Sequence, residues 1–125
     1  MATVTEAERQ EIVQLYAAFN RRNIGAVLDR LAEQVSWANG MEGGQVEGRS
    51  AVRDYWTRQF AMIDPRVEPE EIRRTRDGRV LVSVHQMVRS LDGELLADER
   101  VEHLYTFDDG RITRFEIGQP GSDPR

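Results

Sequence analysis

Three Asp-Gly dipeptides divide the second half of the chain and constrain its fold more than any other feature. They are Asp77-Gly78, Asp92-Gly93 and Asp109-Gly110, and each borders a run rich in β-branched and aromatic residues. Asp-Gly between such runs is typical of a tight hairpin turn, because glycine adopts positive φ without steric cost. The pattern predicts an antiparallel meander with strands over residues 79–91, 94–107 and 111–117.

The first half of the chain reads as helices. Thr5-x-x-Glu8 has the form of a capping box, and apolar residues at helical spacing follow it, which predicts a helix over residues 6–22. Asn23 is the expected N-cap of a second helix whose apolar stripe reaches Leu31. Ser50 is the expected N-cap of a third helix, which ends before Pro65 because proline disfavours the α conformation in the residue before it.

The remaining segments are shorter. Residues 35–38 alternate in polarity and predict a small strand, and the glycine-rich stretch 39–48 predicts a loop. Pro69 excludes a central strand, so residues 70–76 are expected to form an edge strand. Helices followed by a run of strands predict an α+β fold, with three helices on a strongly curved antiparallel sheet that encloses a pocket open at one end. Residues 118–125 are expected to be a flexible tail.

Composition narrows the functional classes. The chain has 125 residues, which predicts one domain spanning 1–125, and its net charge of −5 disfavours binding to nucleic acid or to anionic membranes. Cysteine is absent, which excludes disulfides and thiolate metal sites. The N-terminal stretch has neither a basic segment nor an apolar one, and no run is long enough to span a membrane. We therefore expect a soluble, cytoplasmic protein.

Four motifs give the chain a family resemblance. They are Val13-x-x-Tyr16-x-Ala-Phe19-Asn20, Leu31-Ala-x-x-Val35-x-Trp37, Gly48-Arg-x-Ala51-Val52-Arg-x-Tyr55-Trp56 and His103-x-Tyr105-x-Phe107-x-x-Gly110-Arg-Ile112. Together they resemble the NTF2-like superfamily, which includes ketosteroid isomerases and SnoaL-like polyketide cyclases. The resemblance covers roughly residues 7–117. It implies a cone-shaped fold around a cavity, and it says little about chemistry because this fold hosts enzymes, binding proteins and assembly modules.

The resemblance also places individual residues. Tyr16 falls where ketosteroid isomerases keep an oxyanion-hole tyrosine, and Trp56 matches an aromatic residue that lines the cavity. Asn39 falls where those enzymes keep an aspartate base, but an amide cannot take a proton, so Asn39 is expected to orient substrate instead. His103 falls where they keep a protonated aspartate. It is therefore expected to act with Tyr16 on an oxyanion or a mobile proton, near its ordinary pKa of about 6.5.

The residues alone leave the face of His85 open. If Ser90 faces Glu94 across the turn, His85 lies opposite Glu99 and shares a face with His103. A strict two-residue turn shifts the register by one and places His85 opposite Arg100. The alternative face, with four valines on strand 79–91, has an equal claim to the interior. Both histidines are also consistent with ordinary half-buried positions on a sheet.

A second candidate constellation is Arg100-x-Glu102, since limonene epoxide hydrolases, which share the fold, place an arginine between two acids. Glu116 is then the second acid, although an exposed ion pair explains these residues equally well. No metal site is predicted, because no HxxxH or HExxH spacing occurs. The aromatic candidates suit a flat organic ligand or plain core packing. The predicted site residues are Tyr16, His103 and His85 as catalytic groups, with Asn39, Trp37, Tyr55, Trp56, Met87 and Tyr105 as substrate contacts.

Two functional classes follow. The first is a cofactor-independent acid–base enzyme, of isomerase, cyclase, hydratase or dehydratase type, acting on an apolar organic substrate. The second is a non-catalytic module of the same fold that binds a ligand or associates. In either case we expect a small organic ligand, no cofactor and a homodimer formed through the bare face of the sheet, since valines or aromatics on that face would expose a large apolar patch.

Overall fold

A computed structural model describes residues 4–40 and 42–118. Two helices come first, followed by two short strands, a third helix and four long strands. The elements, in chain order, are α1 (Glu6–Asn20), α2 (Ile24–Leu28), β1 (Leu31–Ala38), β2 (Gln45–Glu47), α3 (Arg49–Met62), β3 (Ile63–Arg74), β4 (Val80–Ser90), β5 (Leu95–Asp108) and β6 (Arg111–Gly118). The α+β class and the packing of three helices on a sheet are confirmed. Apart from Gly118, which ends β6, the predicted tail lies outside the described residues.

The six strands form one sheet in the order β2-β1-β6-β5-β4-β3. The meander β4-β5-β6 and the hairpin from β3 to β4 are antiparallel, as predicted. The sheet is mixed, however, because β1 pairs in parallel with β6. The edge position of β3 explains how one strand holds both Pro65 and Pro69, since an edge strand has N–H positions that need no ladder partner.

The first half of the chain differs from the prediction at several boundaries, since α1 ends at Asn20 rather than at residue 22 and α3 begins before Ser50, its expected N-cap. The capping box at Thr5 and Glu8 is present, and α1 begins as expected. The second helix ends at Leu28, and Leu31 opens a strand in which it pairs with Ile112. A short apolar run fits either element, and here pairing with a distant strand decides the outcome. The third helix begins after Gly48, which has φ 90 and offers no side-chain cap.

One extra residue in β5 decides which side chains face the helices. Ser90 bonds to the carbonyl of Glu94, so the turn takes the first of the two predicted forms. A register shift then places Val88 opposite Ala97 and His85 opposite Arg100. The valines of β4 therefore face inward with Val101, His103 and Tyr105, whereas His85 and Met87 point to the outer face of the sheet. Of the two alternatives for His85, the one opposite Arg100 is therefore correct, and the one that puts both histidines on one face is wrong, because the bulge cancels the effect of the turn.

The outer face of the sheet is charged rather than apolar. Arg100 pairs with Glu70 at 3.0 Å, and the ring of His85 bonds to Asp98 at 2.6 Å. The valine-rich face is the inward one, as the second alternative had it, so the valines do not supply the exposed apolar patch on which the dimer prediction rested. The homodimer itself stays a prediction. Within the described ranges, no helix is long and apolar enough to cross a membrane.

Asn20 covers the open edge of β3 at the end of α1. Its amide nitrogen donates to the carbonyl of Val67 at 2.8 Å, and its amide oxygen accepts from the Val67 N–H at 3.0 Å. Those backbone groups belong to an edge strand, so Asn20 satisfies a donor and an acceptor that the ladder leaves open. The contact fixes the helix over the inward face of the sheet.

We expect Asn20→Ala to lower the free energy of unfolding by about 1–2 kcal/mol, because it removes two hydrogen bonds from half-buried backbone groups. Urea unfolding measures the change. Gln10→Ala is the matched control, since Gln10 lies on the same helix and contacts only the exposed Glu6. Equal stability of the two variants would show that Asn20 does not anchor the helix.

Candidate active site

The inward face of the sheet and the helices enclose a cavity of about 320 Å³. That volume is at the lower end of the range for small-molecule sites. Its walls are apolar and largely aromatic, and they include Leu15, Phe19, Trp37, Tyr55, Trp56, Val67, Val88, Val101 and Phe115. The exposed members of the lining, Gly40, Glu99 and Ile117, mark the mouth of the cavity.

Three buried polar side chains form a hydrogen-bonded chain in the lining. The Tyr105 hydroxyl donates to the Tyr16 hydroxyl at 2.9 Å, and Tyr16 Oη lies 2.7 Å from Nδ1 of His103. Tyr16 and His103 are each 4% exposed, and Tyr105 is fully buried. We call these three residues the polar triad. Period two along β5 places His103 and Tyr105 on one face, and α1 supplies Tyr16 from above.

Burial keeps the polar triad uncharged near neutral pH. Removal from water lowers the pKa of His103 to about 3, so the imidazole is neutral. Burial also raises the pKa of Tyr105, and burial together with the neighbouring Tyr105 raises the pKa of Tyr16. The expectation that His103 titrates near its ordinary pKa is therefore wrong. A neutral ring can still donate one hydrogen bond and accept another.

The neutral ring allows two proton arrangements in the polar triad. In the first, Tyr16 donates to Nδ1 of His103, and the ring proton is on Nε2. In the second, Nδ1 donates to Tyr16, which then accepts two hydrogen bonds and has its own proton free, while Nε2 becomes an acceptor. Nε2 of His103 is buried and has no partner within the described residues. A hydrogen-bonding ligand can therefore meet an unused group in either arrangement.

The structure brings most of the predicted site residues together. Tyr16, Trp37, Tyr55, Trp56, His103 and Tyr105 all line the cavity. The geometry of Tyr16 and His103 is tighter than expected, because the two groups bond directly and leave no room for a reacting group between them.

Three predicted residues lie outside the lining. His85 and Met87 are on the outer face of the sheet. Asn39 stabilises the turn after β1, where its amide donates to Glu42 at 2.9 Å and accepts from the Glu42 N–H at 2.8 Å. Its side chain is therefore engaged in a local turn rather than in the cavity. Arg100, the alternative candidate, is on the outer face in its pair with Glu70.

Sequence reasoning missed two amides and left one carboxylate out of the site. Gln59, one turn after Tyr55 on α3, donates to the Tyr55 hydroxyl at 3.3 Å, and its Oε1 is buried without a partner within the described ranges. Gln86 and Glu99 are directly paired across β4 and β5 and both line the cavity. Because side chains alternate between the two faces of a strand, Glu99 lies on the same face of β5 as His103. This alternation identifies Glu99 as a lining residue once the inward face is known.

The fold is α+β, with three helices on one face of a six-stranded mixed sheet and a cavity between them. The chain matches the SnoaL-like domain family over residues 12–115, and it therefore belongs to that family. Among curated proteins, none matches the chain.

Solved structures share the fold over most of the chain. An NTF2-like protein of unknown function from Burkholderia pseudomallei K96243 is 27% identical, with a TM-score of 0.80 and 92% of each chain covered. TerC, co-crystallised with polyporic acid, is 28% identical, with a TM-score of 0.78 and 90% of each chain covered. A candidate polyketide cyclase from Sinorhizobium meliloti is 20% identical, with a TM-score of 0.74, 90% of this chain and 99% of that chain covered, and its likeness concerns the fold alone.

Proposed function

We propose that this chain is an acid–base enzyme of the isomerase or cyclase type that needs no cofactor and acts on an organic carbonyl compound. The observation that carries the proposal is the buried polar triad in the wall of an otherwise apolar cavity. Buried polar groups in an apolar site act strongly on charge that develops during a reaction, because little water competes with them. The binding of polyporic acid by TerC supports an organic ligand in a cavity of this fold.

The chemistry uses the second proton arrangement of the polar triad. Tyr16 accepts from Tyr105 and from Nδ1 of His103, and donates its own proton to the substrate carbonyl oxygen. Nε2 of His103 takes a proton from the carbon next to the carbonyl, which leaves an enolate at Tyr16 and an imidazolium at His103. Returning that proton to another carbon completes an isomerisation. Attack of the enolate on a second carbonyl carbon, whose oxygen then takes the proton from the imidazolium, completes a cyclisation.

The low pKa of His103 suits this role. The imidazolium forms only together with the enolate, and the opposite charges stabilise each other in a site of low dielectric. The ring is therefore a weak base in the empty cavity and a stronger one as the enolate forms. His85 lies on the other face of the sheet and is not needed.

Deuterium exchange tests the proposal without the natural substrate. We expect the protein to accelerate incorporation of deuterium at C2 of 1-tetralone in D₂O, as followed by proton NMR, and His103→Gln to remove the acceleration. Exchange no faster than in buffer, while 1-tetralone quenches the fluorescence of Trp37 and Trp56 in the cavity wall, would favour the non-catalytic binding module instead. If the protein neither accelerates exchange nor shows quenching by 1-tetralone, both functions are contradicted.

A further inference from the structure

The distribution of charge in the cavity lining is uneven. All 17 basic residues of the chain are arginines, yet among the described residues none of them lines the cavity. Among the described residues, the lining holds one carboxylate, that of Glu99. This residue is on the inward face of β5 and is exposed at the mouth of the cavity. Within residues 4–40 and 42–118, Glu99 forms no ion pair, whereas the arginines of the outer face pair with Glu70 and Glu116.

Two acceptor groups of the lining lie outside the polar triad. Oε1 of Gln59 is buried without a partner in the part of the chain that the structure describes, because the amide nitrogen of that side chain is bonded to Tyr55. The Glu99 carboxylate can only accept hydrogen bonds when ionised. A ligand donor can satisfy either group, and an anionic ligand at the mouth meets the charge of Glu99 with no arginine among the described lining residues to offset it.

We propose that Glu99 is a specificity-determining residue that binds an amino or other cationic donor group of the substrate at the cavity mouth and excludes anionic substrates. The proposal rests on the proposed function, because it assumes that the carbonyl end of the ligand lies at the polar triad. Glu99 and His103 are four residues apart on one strand, which is about 13 Å between their Cα atoms. A bicyclic molecule with polar groups at opposite ends spans the space between the two side chains.

Aromatic walls reinforce this preference. Trp37 and Trp56 are in contact at 5.1 Å between ring centroids, and Trp37 stacks on Phe115 at 4.1 Å. Aromatic faces attract cations and do not attract anions, since the ring carries negative charge density on its faces. The cavity therefore repels carboxylates and phosphates at the mouth, where Glu99 lies and no arginine among the described residues lines the wall.

The test uses three 2-naphthol probes that differ only in the group at C6, which is aminomethyl, hydroxymethyl or carboxylate. Calorimetric titration at pH 7 and low salt measures their dissociation constants. We expect the ammonium probe to bind about tenfold more tightly than the hydroxymethyl probe, and the carboxylate probe at least about tenfold more weakly, as suits one partly exposed charge pair.

Variants assign the selection to Glu99. Glu99→Gln should reduce the advantage of the ammonium probe to within about twofold, and Glu99→Arg should reverse the order of the charged probes. Glu94→Gln is the matched control, because it makes the same change in net charge at an exposed turn position outside the lining, and it should preserve the order. Added salt should narrow the differences in the wild type.

The outcomes separate this inference from the proposed function. Binding of the hydroxymethyl probe without any ranking by charge would overturn the role of Glu99 and support a neutral-ligand cavity. A ranking that persists in Glu99→Gln would overturn it as well. If none of the three probes binds, both the inference and the proposed function are contradicted.

Discussion

Replacing Tyr16 by phenylalanine is expected to slow deuterium exchange at C2 of 1-tetralone about 100-fold. The hydroxyl is the only group in the proposed chemistry that donates to the developing enolate oxygen, and loss of one such donor typically costs 10²–10³ in rate. Proton NMR of the exchange reaction measures the effect. Calorimetric titration with 2-naphthol, which presents a phenol oxygen in place of the enolate, should show weaker binding in the same variant.

Two further variants test whether the loss of rate belongs to the Tyr16 hydroxyl itself. Tyr105→Phe should slow exchange only about tenfold, because Tyr105 does not touch the substrate and acts by polarising the Tyr16 hydroxyl. His85→Gln should leave the rate unchanged, because that ring is bonded to Asp98 on the outer face of the sheet. Equal rates in the wild type and Tyr16→Phe, with the fold intact by circular dichroism, would rule out the oxyanion role.

Much of the fold follows from local features of the sequence. The Asp-Gly pairs predict the turns because only a few residue types accept the backbone conformation that such turns require. Asp109 and Gly110 both have positive φ in the turn between β5 and β6, as that reasoning expects. The capping box begins α1, and Pro69 keeps β3 at an edge. These predictions depend on a few neighbouring residues, whose conformational preferences follow directly from their types.

Local features of the sequence do not indicate which distant segments pair in the sheet. The strand β1 lies beside β6, and nothing within residues 31–38 indicates a parallel partner some 80 residues away. The register of β4 and β5 depends on a bulge at Leu96, and one inserted residue reverses the face of every side chain beyond it. The burial of the β4 valines decides between the registers, because they have more apolar surface to remove from water than the alternating set with Ser83 and His85.

The site was predictable where family resemblance and inward strand positions agree. His103 and Tyr105 meet both conditions, Tyr16 meets the first from α1, and the structure joins the three in one hydrogen-bonded chain. Asn39 meets only the first, because a resemblance in sequence does not show that a side chain is occupied in a local turn. Glu99 meets only the second, and a charged residue on a strand is usually solvated, so period two alone did not distinguish it.

Acidification between pH 6.5 and pH 5 is expected to destabilise the protein through His103. The pKa of this ring is about 3 in the folded protein and near 6.5 in the unfolded chain. Above pH 6.5 the ring is neutral in both states, so it does not make the free energy of unfolding depend on pH. Below pH 6.5 the unfolded chain binds a proton that the folded protein does not, so stability falls as the pH falls, by up to about 1.4 kcal/mol for each pH unit.

By pH 5 the loss attributable to His103 is about 2 kcal/mol relative to pH 8. Urea unfolding at half-unit intervals measures it, and the window excludes most carboxyl groups because their ordinary pKa values lie near 4. His103→Gln retains an oxygen that can accept from Tyr16 and has no proton to bind, so its stability should change little over this range. His85→Gln removes the other histidine, and the comparison shows how much of the slope arises on the outer face of the sheet. Parallel pH dependence in the wild type and His103→Gln would mean that His103 is not held neutral, and the weak base that the proposed chemistry requires would then be absent.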